Sequence, residues 1–287
     1  MQHLDFSKDE KFLEVKDYTV SQEKFSLYYN RTYDLLLTDP MPAKEDLGRY
    51  YQSENYISHT DGKRNLFERL YQEVKKIALR KKVDLLFKQH HTVGALLDIG
   101  CGTGDFLVEA KKRGWTTTGF EPNDKASTLA FNKGISVVTN LRELPNHSFD
   151  VITLWHVLEH IPNLEEQIIE LNRLLKPEGK LVIAVPNFKS YDATYYKSHW
   201  AAFDAPRHLW HFSQKSITAI FSAFQFKVDE LQPMLFDSFY VSLLSEEYKT
   251  GKKNWIKAFF VGLRSNIEAR STMEYSSIIY CLSKKVS

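Results

Sequence analysis

The chain has 287 residues, a net charge of +2, and 43% hydrophobic and 26% charged residues. That balance excludes a disordered polyelectrolyte and suffices for a full core; with no long basic run interleaved with aromatics, it also argues against nucleic acid as the substrate. The two cysteines, Cys101 and Cys281, are too few and too far apart for a disulfide framework or a metal knuckle and fit a reducing cytoplasm, and no apolar run reaches the length of a bilayer span.

Residues 1–61 read as aromatic and irregular, with a turn at Asp39-Pro40-Met41-Pro42 and a short helix over 46–51. Leu66, Leu70, Val74 and Ile77, broadened by Phe67, Tyr71 and Ala78, recur at helical spacing and predict a long amphipathic helix over 63–90 with a solvated basic face.

A strand over 95–99 then runs into Gly100-Cys101-Gly102-Thr103-Gly104 and the helical pattern of 105–112. Alternating glycines let the backbone turn sharply and are expected to offer bare N–H groups to a phosphate or carboxylate. A second strand, 116–120, ends at Glu121, where a carboxylate can accept hydrogen bonds from both ribose hydroxyls of an adenosine. Further strands at 135–138, 151–154 and 181–185 alternate with helices, which predicts a parallel sheet covered on both faces, with ligands beyond its carboxyl edge.

Trp155-His156-Val157-Leu158-Glu159-His160 follows the fourth of these strands. His156 and His160 are spaced i, i+4, but spacing places no third ligand, so no metal is expected. In the loop after the fifth strand, Asp204, Arg207 and His208 are candidates for substrate orientation or base work, His208 being the first choice as proton acceptor. The other reading is that Asp204 and Arg207 pair to hold the loop. Pro206 stiffens it, and Ser213 reads as the N-cap of a helix over 214–224. Strands at 226–231 and 276–282 close the pattern. Between them lies a helix-rich insertion whose Leu235, Phe236, Phe239, Tyr240, Leu243 and Leu244 read as core packing or as the wall of a substrate pocket.

The run Asp98-x-Gly100-x-Gly102-x-Gly104 with its acidic partner Glu121, followed in order by the segments at 148–160 and 179–187, resembles the class I S-adenosylmethionine-dependent methyltransferases over about residues 92–231. It departs from the dinucleotide spacing G-x-G-x-x-G. The resemblance implies an α/β, Rossmann-like, mostly parallel seven-stranded sheet of order 3-2-1-4-5-7-6 whose last strand is antiparallel. It implies S-adenosyl-L-methionine as cofactor. Asp98 and the backbone of Gly100, Cys101, Gly102 and Gly104 would hold its methionine end, Glu121 the ribose, and Pro122, Asn140 and Leu141 the adenine. Trp155 and His156 would meet the methionine and His160 the acceptor, so that His208, His160 and His156 are the candidate catalytic residues.

The N-terminal part resembles bacterial sugar and secondary-metabolite methyltransferases that often carry a zinc ribbon. The ribbon cysteines are absent here, while Tyr50, Tyr51 and Tyr56 match a tyrosine-rich segment that can close over the cofactor. The implied organisation is an N-terminal extension with its helix (1–91), a cofactor domain (92–231), a helical insertion (232–274) and a last strand (275–287). Leu154-Trp155-His156-Val157 stands where methyltransferases of adenine or glutamine nitrogens carry Asn/Asp-Pro-Pro-Tyr/Phe. An oxygen or carbon acceptor on a small molecule or glycan-linked compound remains. Two other readings stay open: an NAD(P)-dependent oxidoreductase on a related sheet, and a non-catalytic cofactor-binding interaction protein.

Overall fold

The computed structural model describes residues 3–43, 45–51 and 66–285; Tyr56 lies outside them. In chain order the elements begin with β1 (Glu10–Lys16), β2 (Lys24–Asn30), β3 (Leu35–Asp39), α1 (Leu66–His90), β4 (Ala95–Ile99), α2 (Asp105–Lys112), β5 (Thr116–Phe120), α3 (Asp124–Asn132) and β6 (Ser136–Val138). They continue with β7 (Phe149–Trp155), α4 (Leu164–Leu174), β8 (Leu175–Pro186), α5 (Tyr191–Tyr196), β9 (Trp210–His211), α6 (Gln214–Ala223), β10 (Phe226–Pro233), α7 (Asp237–Thr250), α8 (Trp255–Thr272) and β11 (Ser277–Lys284).

Seven strands form one sheet in the order β10-β11-β8-β7-β4-β5-β6, which is the expected order read from its other edge. β4 runs parallel to β5 and β7, and β5 parallel to β6. The Met234 N–H donates to the Ser277 carbonyl at 3.2 Å and the Asn187 N–H to the Ser276 carbonyl at 2.9 Å. The outgoing ends of β10 and β8 thus each meet the incoming end of β11, which makes β11 antiparallel. Leu96, Leu97 and Ile99 of β4, Val151, Ile152 and Leu154 of β7 and Leu181 to Val185 of β8 are all buried. Near-continuous apolar runs of this kind are what a sheet covered on both faces requires.

The N-terminal region is not irregular. β1, β2 and β3 form an antiparallel meander that β9 extends, in the order β1-β2-β3-β9. Phe25 and Leu27 alternate inward on β2, whereas Leu35, Leu36 and Leu37 are all buried on β3; this mixture over three short strands obscures the period-2 signal. The short helix is a 3-10 turn, Leu47–Tyr51. Among the described side chains of α1, Val83, Leu85 and Leu86 are buried while Ile77 is exposed; Leu66, Phe67, Leu70, Tyr71 and Val74 lie outside the described side chains.

The insertion contains α7 and α8 as expected, but Leu235, Phe236 and Tyr240 are exposed rather than core. The helices meet through small residues instead. Ser238, Ser242 and Ser245 of α7 and Ala258, Gly262, Ser265 and Ala269 of α8 are buried, and a Cβ at Gly262 would lie 3.0 Å from the Phe239 backbone.

By its internal contacts the chain divides into two compact units. The first comprises Met1–Ser53, His156–Glu165 and Ala184–Tyr280; the second comprises Glu54–Trp155, Glu166–Ile183 and Cys281–Ser287. The first unit has its own core of Val15, Phe25, Leu27, Leu36, Tyr196, Trp200 and Phe203.

Candidate active site

Within the second unit, Ile99 pairs with Phe120 and Leu154, and Phe120 with Val138. Four strands therefore end level. The segments that leave this carboxyl edge are Gly100 to Gly104, Glu121-Pro122, Asn140-Leu141 and Trp155. It is the edge at which ligands bind in open α/β sheets.

Gly100, Gly102 and Gly104 have φ values of 70, 54 and 77°, a region that disfavours any side chain. Their N–H groups, however, are not bare. Gly100 donates to the Phe120 carbonyl at 2.8 Å, Gly102 to Glu121 Oε2 at 2.8 Å and Gly104 to the Cys101 carbonyl at 3.0 Å. The expectation of an anion-binding bend thus gives way to a bend closed by its own hydrogen bonds. Glu121, 9% exposed, also accepts the Asn123 N–H on Oε1 at 2.9 Å. Each oxygen is steered by one backbone donor and keeps lone-pair capacity for a further one. A Cβ at Gly102 would meet nothing within 4 Å, so the bend leaves open space at that point.

Asp98 is buried and accepts the Thr153 hydroxyl at 2.6 Å; burial pushes its carboxyl up to about 7 against the pull of Thr153 and Lys82. Cys101 is buried beside Gly119, where a Cβ would come within 2.5 Å of Sγ, and burial raises its thiol to about 12. It is a packing residue, not a nucleophile. Pro122 is exposed, Asn140 caps the 3-10 turn that begins at the buried Leu141, and Trp155 stacks edge-on against Phe106 with Lys82 Nζ 4.2 Å from its ring centre. The Trp155 indole N–H is buried with no hydrogen-bond partner.

The first unit gathers the histidines. His160 and His208 stand edge to face with ring centres 4.6 Å apart. His208 Nδ1 donates to the Ala202 carbonyl at 2.8 Å and His160 Nδ1 to the Arg207 carbonyl at 3.0 Å, the Tyr51 hydroxyl lying 3.0 Å from the same nitrogen. Carbonyls only accept, so each ring carries a proton on Nδ1 and Nε2 is the nitrogen left over for another partner. Burial and the neighbouring His208 lower His160 to about 4. His156 differs. Although desolvation opposes its charge, Asp237 at 3.1 Å and Glu159 at 3.4 Å raise it to about 9. An imidazolium held between two carboxylates is not a proton acceptor at neutral pH, which corrects the expected base role of His156.

Glu159 carried no role in the sequence, yet it is 1% exposed, neither of its oxygens accepts a hydrogen bond, and one ligand atom each of Glu159, His160 and His208 lies within 4.8 Å of the others. The only signal for it was its place in the His156-x-x-Glu159-His160 run. Arg207 is buried and ion-paired. It donates to Asp204 Oδ1 at 2.6 Å and Oδ2 at 2.9 Å, to Asp17 Oδ1 at 2.9 Å and to the Tyr50 carbonyl at 3.0 Å. Arg207 thus holds the loop, the second of its two expected uses.

A seven-stranded sheet of this order, with a glycine bend and an acidic second strand end, defines the class I methyltransferase fold. The profile of a methyltransferase-domain family matches residues 69–231, more than half of the chain, and the chain belongs to that family. The ubiquinone biosynthesis O-methyltransferase of Salmonella paratyphi A is 30% identical over 102 residues, which is 32% of this chain and 42% of that protein. Its Nitrosococcus oceani counterpart is 33% identical over 102 residues, 32% of this chain and 43% of that protein. The chain spans under half the length of these relatives. Among solved structures, a SAM-dependent methyltransferase from Archaeoglobus fulgidus superposes with a TM-score of 0.51 at 19% identity, covering 76% of this chain and 98% of that one. The Burkholderia thailandensis 1,6-didemethyltoxoflavin-N1-methyltransferase gives 0.52 at 13% identity, covering 95% and 100%. At these identities the likeness is one of fold.

Proposed function

We propose that the protein is an S-adenosylmethionine-dependent methyltransferase acting on an oxygen or carbon of a small-molecule or glycan-linked acceptor. The observation that carries this reading is the Glu121 carboxylate fixed at the glycine bend by the Gly102 and Asn123 N–H groups. An acceptor-only group so placed suits two ribose hydroxyls. The bend offers carboxylates and no free glycine N–H, which suits a cationic ammonium and sulfonium better than a dinucleotide pyrophosphate. The unpartnered Trp155 N–H and the open space at Gly102 likewise fit a ligand at this edge.

S-adenosylmethionine, when bound, supplies a methyl group on a sulfonium that is ready for in-line displacement. The chain's own task is then to hold and orient; near-attack positioning accounts for roughly 7–11 kcal/mol in favourable intramolecular cases. Asp98, Gly100, Gly102, Gly104 and Trp155 are assigned to the methionine end, Glu121 to the ribose and Pro122, Asn140 and Leu141 to the adenine. On the acceptor side, His160, held neutral by burial, presents its Nε2 lone pair for a hydroxyl proton, and His208 stands beside it as the second candidate. The helical insertion contributes through Asp237, which fixes His156. The relatives from Salmonella paratyphi A and Nitrosococcus oceani are O-methyltransferases, which favours an oxygen acceptor.

A cytoplasmic setting belongs to the proposal, supported by two buried, unbridged cysteines. Among the described residues no helix is long and apolar enough to cross a membrane. Calorimetry with S-adenosylhomocysteine and with NADPH tests the cofactor: binding of the first and not the second is expected, and the reverse overturns the reading. Transfer of labelled methyl into a metabolite extract, lost in Gly102→Arg, separates an enzyme from a non-catalytic binder.

A further inference from the structure

We propose that Glu159, His160 and His208 form a binding site for one divalent transition-metal ion of the zinc type. The inference deepens the acceptor side of the reading above and is independent of whether the cofactor assignment holds.

Three features converge on it. The carboxylate of Glu159 is 1% exposed and neither oxygen accepts a hydrogen bond, the nearest cationic group being His156 Nδ1 at 3.4 Å from Oε1. A buried carboxylate is ordinarily satisfied by donors or by a metal. His160 and His208 each anchor Nδ1–H on a backbone carbonyl, which is the outer-shell bond that fixes the tautomer and orientation of metal-ligating histidines. Nε2 is therefore the atom each ring can offer. Finally, one ligand atom of each residue lies within 4.8 Å of the other two. Tetrahedral ligands about 2.1 Å from a zinc ion stand about 3.4 Å apart, so the set is open by at most about 1.4 Å, within reach of side-chain adjustment.

The donor types choose the ion. Two imidazoles and one carboxylate suit zinc, iron(II) or cobalt(II), whereas magnesium and calcium prefer oxygen ligands alone. Asp204 Oδ2, 4.0 Å from His208 Nε2, adds negative charge beside the set. Three protein ligands leave a coordination position open, and an acceptor hydroxyl is the group of the proposed reaction that fits it. The same Nε2 lone pairs serve either as proton acceptors or as ligands, so metal loading replaces the base role of the two histidines.

The test uses the full chain freed of metal by chelation, then titrated with Zn²⁺ and separately with Mg²⁺ in a calorimeter, with Co²⁺ absorption as a report of tetrahedral nitrogen and oxygen ligation. One equivalent of Zn²⁺ is expected to bind, to raise the unfolding midpoint by linkage, and to outcompete Mg²⁺ by at least 100-fold. Glu159→Gln and His208→Ala are each expected to weaken Zn²⁺ at least 100-fold, while His199→Gln, outside the cluster, leaves it unchanged. S-adenosylhomocysteine affinity, measured on the same samples, tells a failure of the metal site from a failure of the cofactor reading. If the wild-type chain takes up no equivalent of Zn²⁺, the cluster is balanced by a proton and the proposal is overturned. Uptake that survives both cluster variants is adventitious and overturns it equally. Should either variant fail to fold, the wild-type stoichiometry and Co²⁺ spectrum still decide.

Discussion

The carboxylate of Glu121 accepts the Gly102 N–H at 2.8 Å, so the end of β5 and the bend after β4 are one hydrogen-bonded unit. Removing the carboxylate frees Gly102 and deletes the proposed ribose acceptor together. Glu121→Ala should therefore weaken S-adenosylhomocysteine by about 1–3 kcal/mol, the usual cost of hydrogen bonds lost at a charged group. Calorimetric affinity equal to wild type would remove Glu121 from the cofactor site.

Gly102 and Gly104 share a positive φ but differ in surroundings. A methyl at Gly102 meets open space, whereas one at Gly104 lies 2.9 Å from the Ala130 Cβ. Gly102→Ala should cost only the left-handed backbone penalty, roughly 1–2 kcal/mol of stability. Gly104→Ala should cost more by the overpacking it adds, about 1–3 kcal/mol. Denaturant midpoints order the two variants, and the reverse order would contradict the close approach of α3 to the bend.

Gly119 has its constraint on the neighbouring strand end. A Cβ there falls 2.5 Å from Cys101 Sγ, so Gly119→Ala alone should destabilise by about 1–3 kcal/mol. Adding Cys101→Ala should recover part of that loss, because the sulfur that clashes is gone. A double-mutant cycle with no coupling would show that Cys101 does not fill the space over Gly119.

What was legible in the sequence was local. Strand, glycine bend and acidic strand end lie within some twenty-five positions, and β-strand alternation with helices fixed the sheet order through the resemblance. The use of the glycine N–H groups was not legible, because their acceptors, the Phe120 carbonyl and the Glu121 carboxylate, come from the next strand. Nor was the N-terminal meander, whose β3 pairs with β9, the two meeting at Leu36 and His211. No periodicity reports a contact at that separation. Glu159 lay in plain view in the Trp155 to His160 run, but its burial without donors is a property of packing.

Asp98, on β4, gives the site a pH signature. Its ordinary pKa of 3.8 is pushed up to about 7 by burial, so between these values the folded chain holds a proton that the unfolded chain releases. The stability this group contributes is complete below about 3.8 and is lost as the pH rises through about 7. Asp98→Asn cannot ionise and escapes that loss. From pH 5 to pH 8 the unfolding midpoint of the variant should therefore gain on wild type, and a pH-independent difference would show that Asp98 is ionised throughout.

Arg207 holds the first unit together from within. Its guanidinium reaches Asp17 and Asp204, and Asp17, 1% exposed, also gathers the Thr19 and Ser21 N–H groups and hydroxyls. Burial opposes the Asp17 charge, yet Arg207 and Ser21 hold its carboxyl well below the usual range. Arg207→Met leaves that buried carboxylate without its cation, which costs about 3–5 kcal/mol where one partner of a buried pair is removed. Asp17→Asn in the same chain should recover a substantial part, since the charge that lacked a partner is gone. S-adenosylhomocysteine affinity should stay near wild type in both variants, because the bend and Glu121 belong to the other unit. A normal unfolding midpoint with lost turnover would instead make Arg207 a substrate-binding residue.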